Sequence, residues 1–405
     1  MVNACHISTL TRWGGVERML VDLLLYVKQE RVRHVLVTTS SDPEILTVVR
    51  QAGVLSYQPT TRFRYGPGKF IQMARWLQVH NVQVVHSYNA FANAWANITT
   101  LLSGTPAFIT GKHGTTSYTP APIALLERVA HRRARLVIAN SQATAKTLTL
   151  KYGIPVDKIR VVRNAVADLP FVDTQQVRAQ LGIPEDVLVV GSVGRLDTPK
   201  DYATLVDAAS LVLRERQDVS FVLIGGGPHE SELRAYVSKL GIQDRFLMTG
   251  WRGDARVLIQ GFDLFVSTSV QESFGNAMVE AALCEKAVIA PRIEGIPEVV
   301  VHEQTGLLLQ PMEPVKDYQS PGASALPQQV LIDGKLQPPR ALNSEMLAKT
   351  ILDLLSNSEL RAYYGRQAKE RAQRLFSIER YVQELENIYL EVGRPASVGV
   401  NATNL

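Results

Sequence analysis

The sequence predicts an α/β protein built from two doubly wound domains that face each other across a cleft. Three observations predict it. Short runs rich in valine and isoleucine alternate with amphipathic segments along almost all of the 405 residues. Most of these runs are continuously apolar rather than alternating, as expected of strands buried on both faces of a parallel sheet. They form two sets joined near NAVADLPFVDTQQ, and a chain this long is comfortable for two cores of ordinary size.

In chain order, HVLVTTS, VQVVHSY, PAFITGKHG and RLVIANS read as strands of the first half. LVVGSVGR, SFVLIGGG, DLFVSTS and KAVIAPR do so in the second. Helical patterns separate them, for example YATLVDAASLVLRER and HESELRAYVSKLG, the latter closed by Gly241. Strands alternating with helices imply parallel sheets with right-handed crossovers, whose ligands bind beyond the carboxyl ends of the strands. The domains are expected at 1–168 and 169–376. One segment, 312–343, breaks the rhythm: it is rich in Pro, Gln and Ser, and two strand-like runs flank Asp333-Gly334, a hairpin signal. It reads as an ordered excursion on the second domain. Residues 377–393 form a helix pattern with Ile378, Tyr381, Val382, Leu385, Ile388, Tyr389 and Val392 on one stripe. The tail, 394–405, is expected to be loose.

Composition narrows the function. Hydrophobic content of 46% and charged content of 20% describe a globular chain. Two cysteines, Cys5 and Cys284, exclude a disulfide scaffold and a thiolate metal site and suit a reducing cytoplasm. No apolar run reaches the length of a membrane span, and residues 1–18 lack the apolar core of a signal peptide. The protein is therefore expected in the cytoplasm, and the sequons at Asn97 and Asn401 read as chance matches. Charge is uneven. Residues 1–168 hold 20 Lys+Arg against 8 Asp+Glu, a balance of +12, and the remainder carries −7. Such asymmetry points to different partners for the two halves.

Four strand ends carry candidate chemistry. In GSVGRLDTPKDY a buried strand ends at Gly194, then Arg195 and Lys200 follow around a proline loop, where both could converge on a diphosphate. Basic residues also cap such loops without any ligand. Gly14-Gly15 opens a helix after the first strand, where free N–H groups and the helix dipole attract anions. Gly225 to Gly227 make a similar turn, and a plain tight turn explains both stretches equally well. The fourth stretch is QESFGNAMVE. Asn276 reads as an N-cap, which sets Glu280 about one turn into the next helix. A carboxylate there can accept two hydrogen bonds from a vicinal diol, the natural partner being a ribose. Glu272 projects from the turn and could hold sugar hydroxyls.

Together these residues resemble the retaining glycosyltransferases of family 4, which have the GT-B fold of two Rossmann-like domains. Glu272 to Glu280 has that family's E-x7-E spacing. GGVER, the His113-Gly114 pair, VVRNAV, GRLDTPK, IGGGP, FLMTGW and EGIPEVV occur in the family's order over nearly the whole chain. The resemblance implies an acceptor-binding first domain, a nucleotide-sugar-binding second domain, and a C-terminal helix that crosses back to the first. It gives Arg195 and Lys200 the donor diphosphate, Glu280 the ribose and Glu272 the transferred sugar. It places Gly15 and the Phe274, Gly275 and Asn276 backbone near the phosphates, His113 near the sugar, and Trp251-Arg252 beside the base. The sequence departs from the family's pattern at Asn164-Ala165, Ser273 and Glu285-Lys286-Ala287, positions that leave the charged set intact.

No D-x-D pair is present to hold a divalent ion on a diphosphate, so metal-free chemistry is expected, with no cofactor beyond the nucleotide diphosphate sugar. The expected acceptor is a saccharide or a lipid-linked sugar. The basic stretches ERVAHRRARL (127–136) and TRFRYGPGKF (61–70) suit peripheral contact with an anionic membrane at the inner face. They read nearly as well as a solvated basic surface of a soluble enzyme, with Arg132, Arg133 and Arg135 on an exposed helix face. Two rivals remain: a sugar-nucleotide epimerase of the same fold, and a non-catalytic binder of nucleotide sugars or nucleic acid. Nucleic acid is the less expected partner, because only TRFRYGPGKF interleaves basic residues with aromatics.

Overall fold

The structure, a computed structural model, describes residues 1–11, 13–60, 66–114, 120–168, 170–316 and 320–393. Part of TRFRYGPGKF and the whole tail 394–405 lie outside the described residues. Two parallel sheets organise the chain. The first comprises β1 (Val2–Leu10), β2 (Val32–Ser41), β3 (Ser56–Tyr57), β4 (Val84–Ser87), β5 (Ala107–Lys112), β6 (Leu136–Ala139) and β7 (Ile159–Val161), in the order β3-β2-β1-β4-β5-β6-β7. The second comprises β8 (Leu188–Val193), β9 (Val219–Ile224), β10 (Phe246–Gly250), β11 (Leu264–Val266), β12 (Ala287–Pro291) and β13 (Gly306–Leu309), in the order β10-β9-β8-β11-β12-β13. All pairings within these two sheets are parallel, as the continuously apolar strands require.

Each sheet reverses its winding once. From β1 the chain steps outward to β2 and β3, then returns to β4 on the other side. From β8 it steps to β9 and β10, then returns to β11. Helices diverge at such a switch point and leave a crevice beyond the strand ends. Gly14 and Gly15 follow β1, Arg195 and Lys200 follow β8, and Glu272 follows β11. The topology therefore brings residues far apart in sequence to two facing crevices.

The C-terminal helix Ile378–Gly393 belongs spatially to the first domain. Ile378, Tyr381, Val382, Leu385, Ile388, Tyr389 and Val392 are all buried and join the core formed by β1, β2 and helix Gly15–Tyr26. Tyr389 Oη shares a 2.7 Å hydrogen bond with His86 Nδ1, and Arg135 Nη1 donates to Val392 O at 3.0 Å. The chain changes domain twice, after Ala165 and after Phe376, and the two crossings lie side by side. Phe376 lies in the second core, edge-on to Phe274 at 5.3 Å, and its carbonyl accepts from Val166 N–H at 3.0 Å.

The excursion is ordered where described. Its hairpin, β14 (Val330–Ile332) and β15 (Lys335–Gln337), pairs antiparallel around Asp333 and Gly334, both in the left-handed region at φ 47° and 75°. Val330 and Ile332 are buried in the same core as Phe274.

The basic helix Ala121–Arg133 is less free than its sequence suggests. Arg133 Nη1 donates to Asn97 O, Asn97 Oδ1 and Thr100 Oγ1 at 2.9–3.1 Å, and Arg135 is tied to Val392. Arg128 and Arg132 remain on the exposed face, beside exposed Leu125 and Val129. Asn97 is 5% exposed and accepts from Arg133, so its sequon is closed to modification in the folded chain.

Candidate active site

The loop after β8 turns at Gly194 and carries Arg195, Asp197 and Lys200. Asp197 caps the short turn Thr198–Lys200 by accepting from Thr198 N–H at 2.9 Å, which fixes where Lys200 leaves the loop. Arg195 Nη1 lies 3.3 Å from Asp197 Oδ2 on the cleft surface. Lys200 Nζ donates to Glu272 Oε2 at 2.5 Å, with both side chains mostly shielded from solvent. Burial works to discharge Lys200, but the adjoining Glu272 carboxylate and the Tyr202 hydroxyl together offset it, so the ammonium is held above the ordinary lysine range. The β8 and β11 loops thus present two cations, each paired with a carboxylate, Asp197 or Glu272, at the switch point of the second sheet.

Gly275 makes the turn that follows. At φ 107° it holds a backbone conformation that side chains rarely adopt, and the helix Asn276–Leu283 begins immediately after it. Gly275, not Asn276, occupies the cap position. Because the glycine turn already sets the entry, the Asn276 side chain is released for another task. Its Nδ2 donates to Gly15 O at 3.1 Å, and its Oδ1 accepts from Asn164 Nδ2 at 3.0 Å. Asn164 Oδ1 in turn accepts from His113 Nδ1 at 3.4 Å. A polar chain of His113, Asn164, Asn276 and Gly15 therefore joins the two domains. Phe274 is 1% exposed and its ring is packed in the second core, so no part of its side chain is free to meet a ligand.

His113, expected beside the sugar, is itself buried. Its ring stacks on Tyr88 at 5.1 Å, and its carbonyl accepts from Asn140 Nδ2 at 2.9 Å and Ser273 Oγ at 3.3 Å. Burial lowers its pKa to about 4, so the imidazole is neutral at pH 7. Its Nε2 is turned inward toward Gly111 and has no hydrogen-bond partner among the described residues.

Glu280 lies in the first turns of its helix, as the spacing predicts, but it is not open. Arg256 Nε donates to Glu280 Oε1 at 2.8 Å, and Arg256 Nη1 donates to Asp22 Oδ2 of the first domain at 2.9 Å. Burial raises the Glu280 pKa against the pull of Arg256. Trp251 is 62% exposed at the end of β10 with its Cβ beside Gly226, and Arg252 pairs with Asp254 at 2.7 Å. Gly14 caps helix Gly15–Tyr26 with extended backbone. Sequence reasoning missed Asp22 and Arg256, since isolated polar residues at these positions carry no spacing signal, and it noted Asn164 within VVRNAV without giving it a role. Among the described residues, no cluster of His, Cys, Asp and Glu could hold a metal ion.

Two family matches divide the chain along the same line. Residues 13–168 match Glycosyltransferase Family 4, and residues 173–318 match Glycosyl transferases group 1. The chain belongs to the group 1 glycosyltransferases of the GT-B fold. This glycosyltransferase is 25% identical to N-acetyl-alpha-D-glucosaminyl L-malate synthase of Bacillus anthracis, over 85% of its own length and 83% of the relative's. It is 28% identical to 2-deoxystreptamine glucosyltransferase of Streptomyces kanamyceticus over 47% of its length, and it spans about half of that relative, 51%. Its fold superimposes on Anabaena HepE in complex with UDP-glucose with a TM-score of 0.78 at 21% identity, covering 96% of this chain and all of that one.

Proposed function

We propose that this glycosyltransferase moves a sugar from a nucleotide diphosphate sugar to a saccharide or lipid-linked acceptor in polysaccharide or glycoconjugate biosynthesis, with retention of anomeric configuration and without a metal ion. The observation that carries the reading is the set Arg195, Lys200 and Glu272, brought from two strand ends to the switch point of the second sheet. A uridine diphosphate sugar is the favoured donor, since the similar HepE is described with UDP, with UDP and glucose, and with UDP-glucose.

In the proposed reaction the bond from the sugar C1 to the β-phosphate oxygen breaks and C1 gains oxocarbenium character. Lys200 and Arg195 stabilise the charge that grows on the departing diphosphate, a task otherwise given to a divalent ion. The acceptor oxygen bonds to C1 on the face the diphosphate leaves, and the acceptor proton passes to a phosphate oxygen. Glu272 orients the sugar hydroxyls and keeps Lys200 charged. His113 shapes the pocket and is no general acid, because a group with a pKa near 4 holds no spare proton at pH 7. The test is a transfer assay with UDP-, GDP- and ADP-sugars, reading the anomeric configuration of the product by NMR. A sugar altered with donor alone would indicate an epimerase. An inverted product would remove the retaining mechanism, and full loss with EDTA restored by Mn²⁺ would remove the metal-free one.

Glu280→Gln should weaken donor binding more than it slows turnover. A ribose contact is alike in ground and transition states, and a hydrogen bond to a charged group contributes about 1.5–3 kcal/mol. An unchanged donor KM with a collapsed kcat would contradict the ribose role. We also place anionic lipid against the first domain, on the face carrying Arg128 and Arg132 with Leu125 and Val129. No helix among the described residues is long and apolar enough to cross a membrane. The protein should sediment with anionic vesicles at low salt, stay free of neutral ones, and be released near 0.5 M NaCl, where charges are screened within about 4 Å. Equal partition to both vesicle types, or none to either, would favour a soluble acceptor.

A further inference from the structure

The backbone of Glu272 is gripped on both sides by a turn that the reaction does not use. Its N–H donates to Glu294 Oε2 at 2.7 Å, and its carbonyl accepts from Gly295 N–H at 3.2 Å. The approach is close: a Cβ on Gly295 would lie 2.1 Å from Ser273 O, so only glycine admits it. Glu294 itself sits at φ 40°, in the left-handed region, where a residue other than glycine carries backbone strain. Such a conformation persists only where the surroundings impose it. Here the excursion imposes it, since Glu294 N–H donates to Leu331 O of β14 at 2.7 Å, and the flanking Val330 and Ile332 are anchored in the second core.

We propose that Glu294 is a positioning residue for Glu272, holding the loop that carries it through the side-chain bond to the Glu272 N–H, with β14 bracing Glu294. The inference rests on the reading of Glu272 as the carboxylate that meets the sugar and Lys200. A glycine would reach φ 40° without strain, so a glutamate here stands against the local backbone preference, and its carboxylate is what glycine cannot supply. Burial, with a further push from the Glu272 charge, raises the Glu294 carboxyl to about 7. In either protonation state an oxygen remains to accept from Glu272 N–H, which makes the acceptor and not the charge the working feature.

The experiment compares Glu294→Gly and Glu294→Gln in the full-length protein. Glu294→Gly relieves the strain and removes the acceptor. It should melt within about 4 °C of wild type, lower kcat by roughly tenfold to a hundredfold, leave donor KM little changed, and speed amide hydrogen exchange at residues 271–275. Glu294→Gln keeps an acceptor oxygen and should largely restore both kcat and exchange protection. Wild-type kcat and unchanged exchange in Glu294→Gly would overturn the proposal, as would a Glu294→Gln as impaired as the glycine variant. Hydrogen exchange reads the brace whether or not transfer occurs. A wild type inactive with every donor, with the exchange pattern as expected, would therefore count against the transferase reading and not against the brace.

Discussion

Replacing Lys200 with alanine should lower kcat by roughly two to three orders of magnitude while changing donor KM far less. The ammonium lies 2.5 Å from Glu272 and stays charged because that carboxylate, with Tyr202, offsets the burial that would discharge it. Its charge matters most when the diphosphate leaves, since negative charge on the leaving oxygens is then greatest. A group that interacts more strongly in the transition state than in the ground state raises kcat, whereas uniform binding only lowers KM. The substitution also leaves Glu272 without its partner, so the carboxylate would turn toward water or meet the diphosphate as a like charge. Steady-state kinetics with thermal melting separate these effects from misfolding. A folded Lys200→Ala with near-normal kcat and weakened donor binding would assign Lys200 to ground-state binding alone. Arg195→Ala should act in the same direction by a smaller factor, because Arg195 is 40% exposed and its field is screened by solvent.

Ending the chain after Phe376 should yield aggregated or inactive protein. The cut removes seven apolar side chains from the first core: Ile378, Tyr381, Val382, Leu385, Ile388, Tyr389 and Val392. At about 1.5–3 kcal/mol each, their burial is worth roughly 10–20 kcal/mol, comparable to the whole stability of a domain. Polar losses add to this. His86 loses the Tyr389 hydroxyl, and His34 loses Glu386, 3.4 Å from its Nε2. The vacated face of β1, β2 and β4 would be a broad apolar surface, a recognised aggregation liability. Soluble expression, size-exclusion chromatography and transfer activity of the truncated chain check it. A monodisperse, fully active truncation would show the helix to be dispensable.

Periodicity made the central strands legible. β2, β4, β5 and β6 in one sheet, and β8, β9, β11 and β12 in the other, are apolar without alternation because both faces are covered. β3 and β7 have two and three residues and lie at sheet edges, too short for any period to register. The charged set at the cleft was legible because strand ends and glycine turns mark where a parallel sheet exposes its crevice. What spacing could not show is pairing across the cleft. Arg256 reaches Asp22 across 234 positions, and Asn164 reaches Asn276 across 112. The helix period at 377–393 announced a buried stripe, but which core it fills depends on where the chain crosses at Phe376. The left-handed backbone at Glu294 was hidden for a different reason, since a glutamate before glycine gives no hint that it carries the strain.

The position of that last helix also fixes when the first domain can finish folding during synthesis. Helix Ile378–Gly393 supplies part of a core whose other members all lie between Ala4 and Ala165. A ribosome adding roughly 5–20 residues per second takes some tens of seconds to get from the end of the first domain to Tyr389. For that interval that face of the first sheet is covered only by the helices made early, such as Gly15–Tyr26, and the second domain closes its own core once Phe376 is made, a few residues before the last helix. Domain folding in this chain is thus not vectorial: the half made first is completed last.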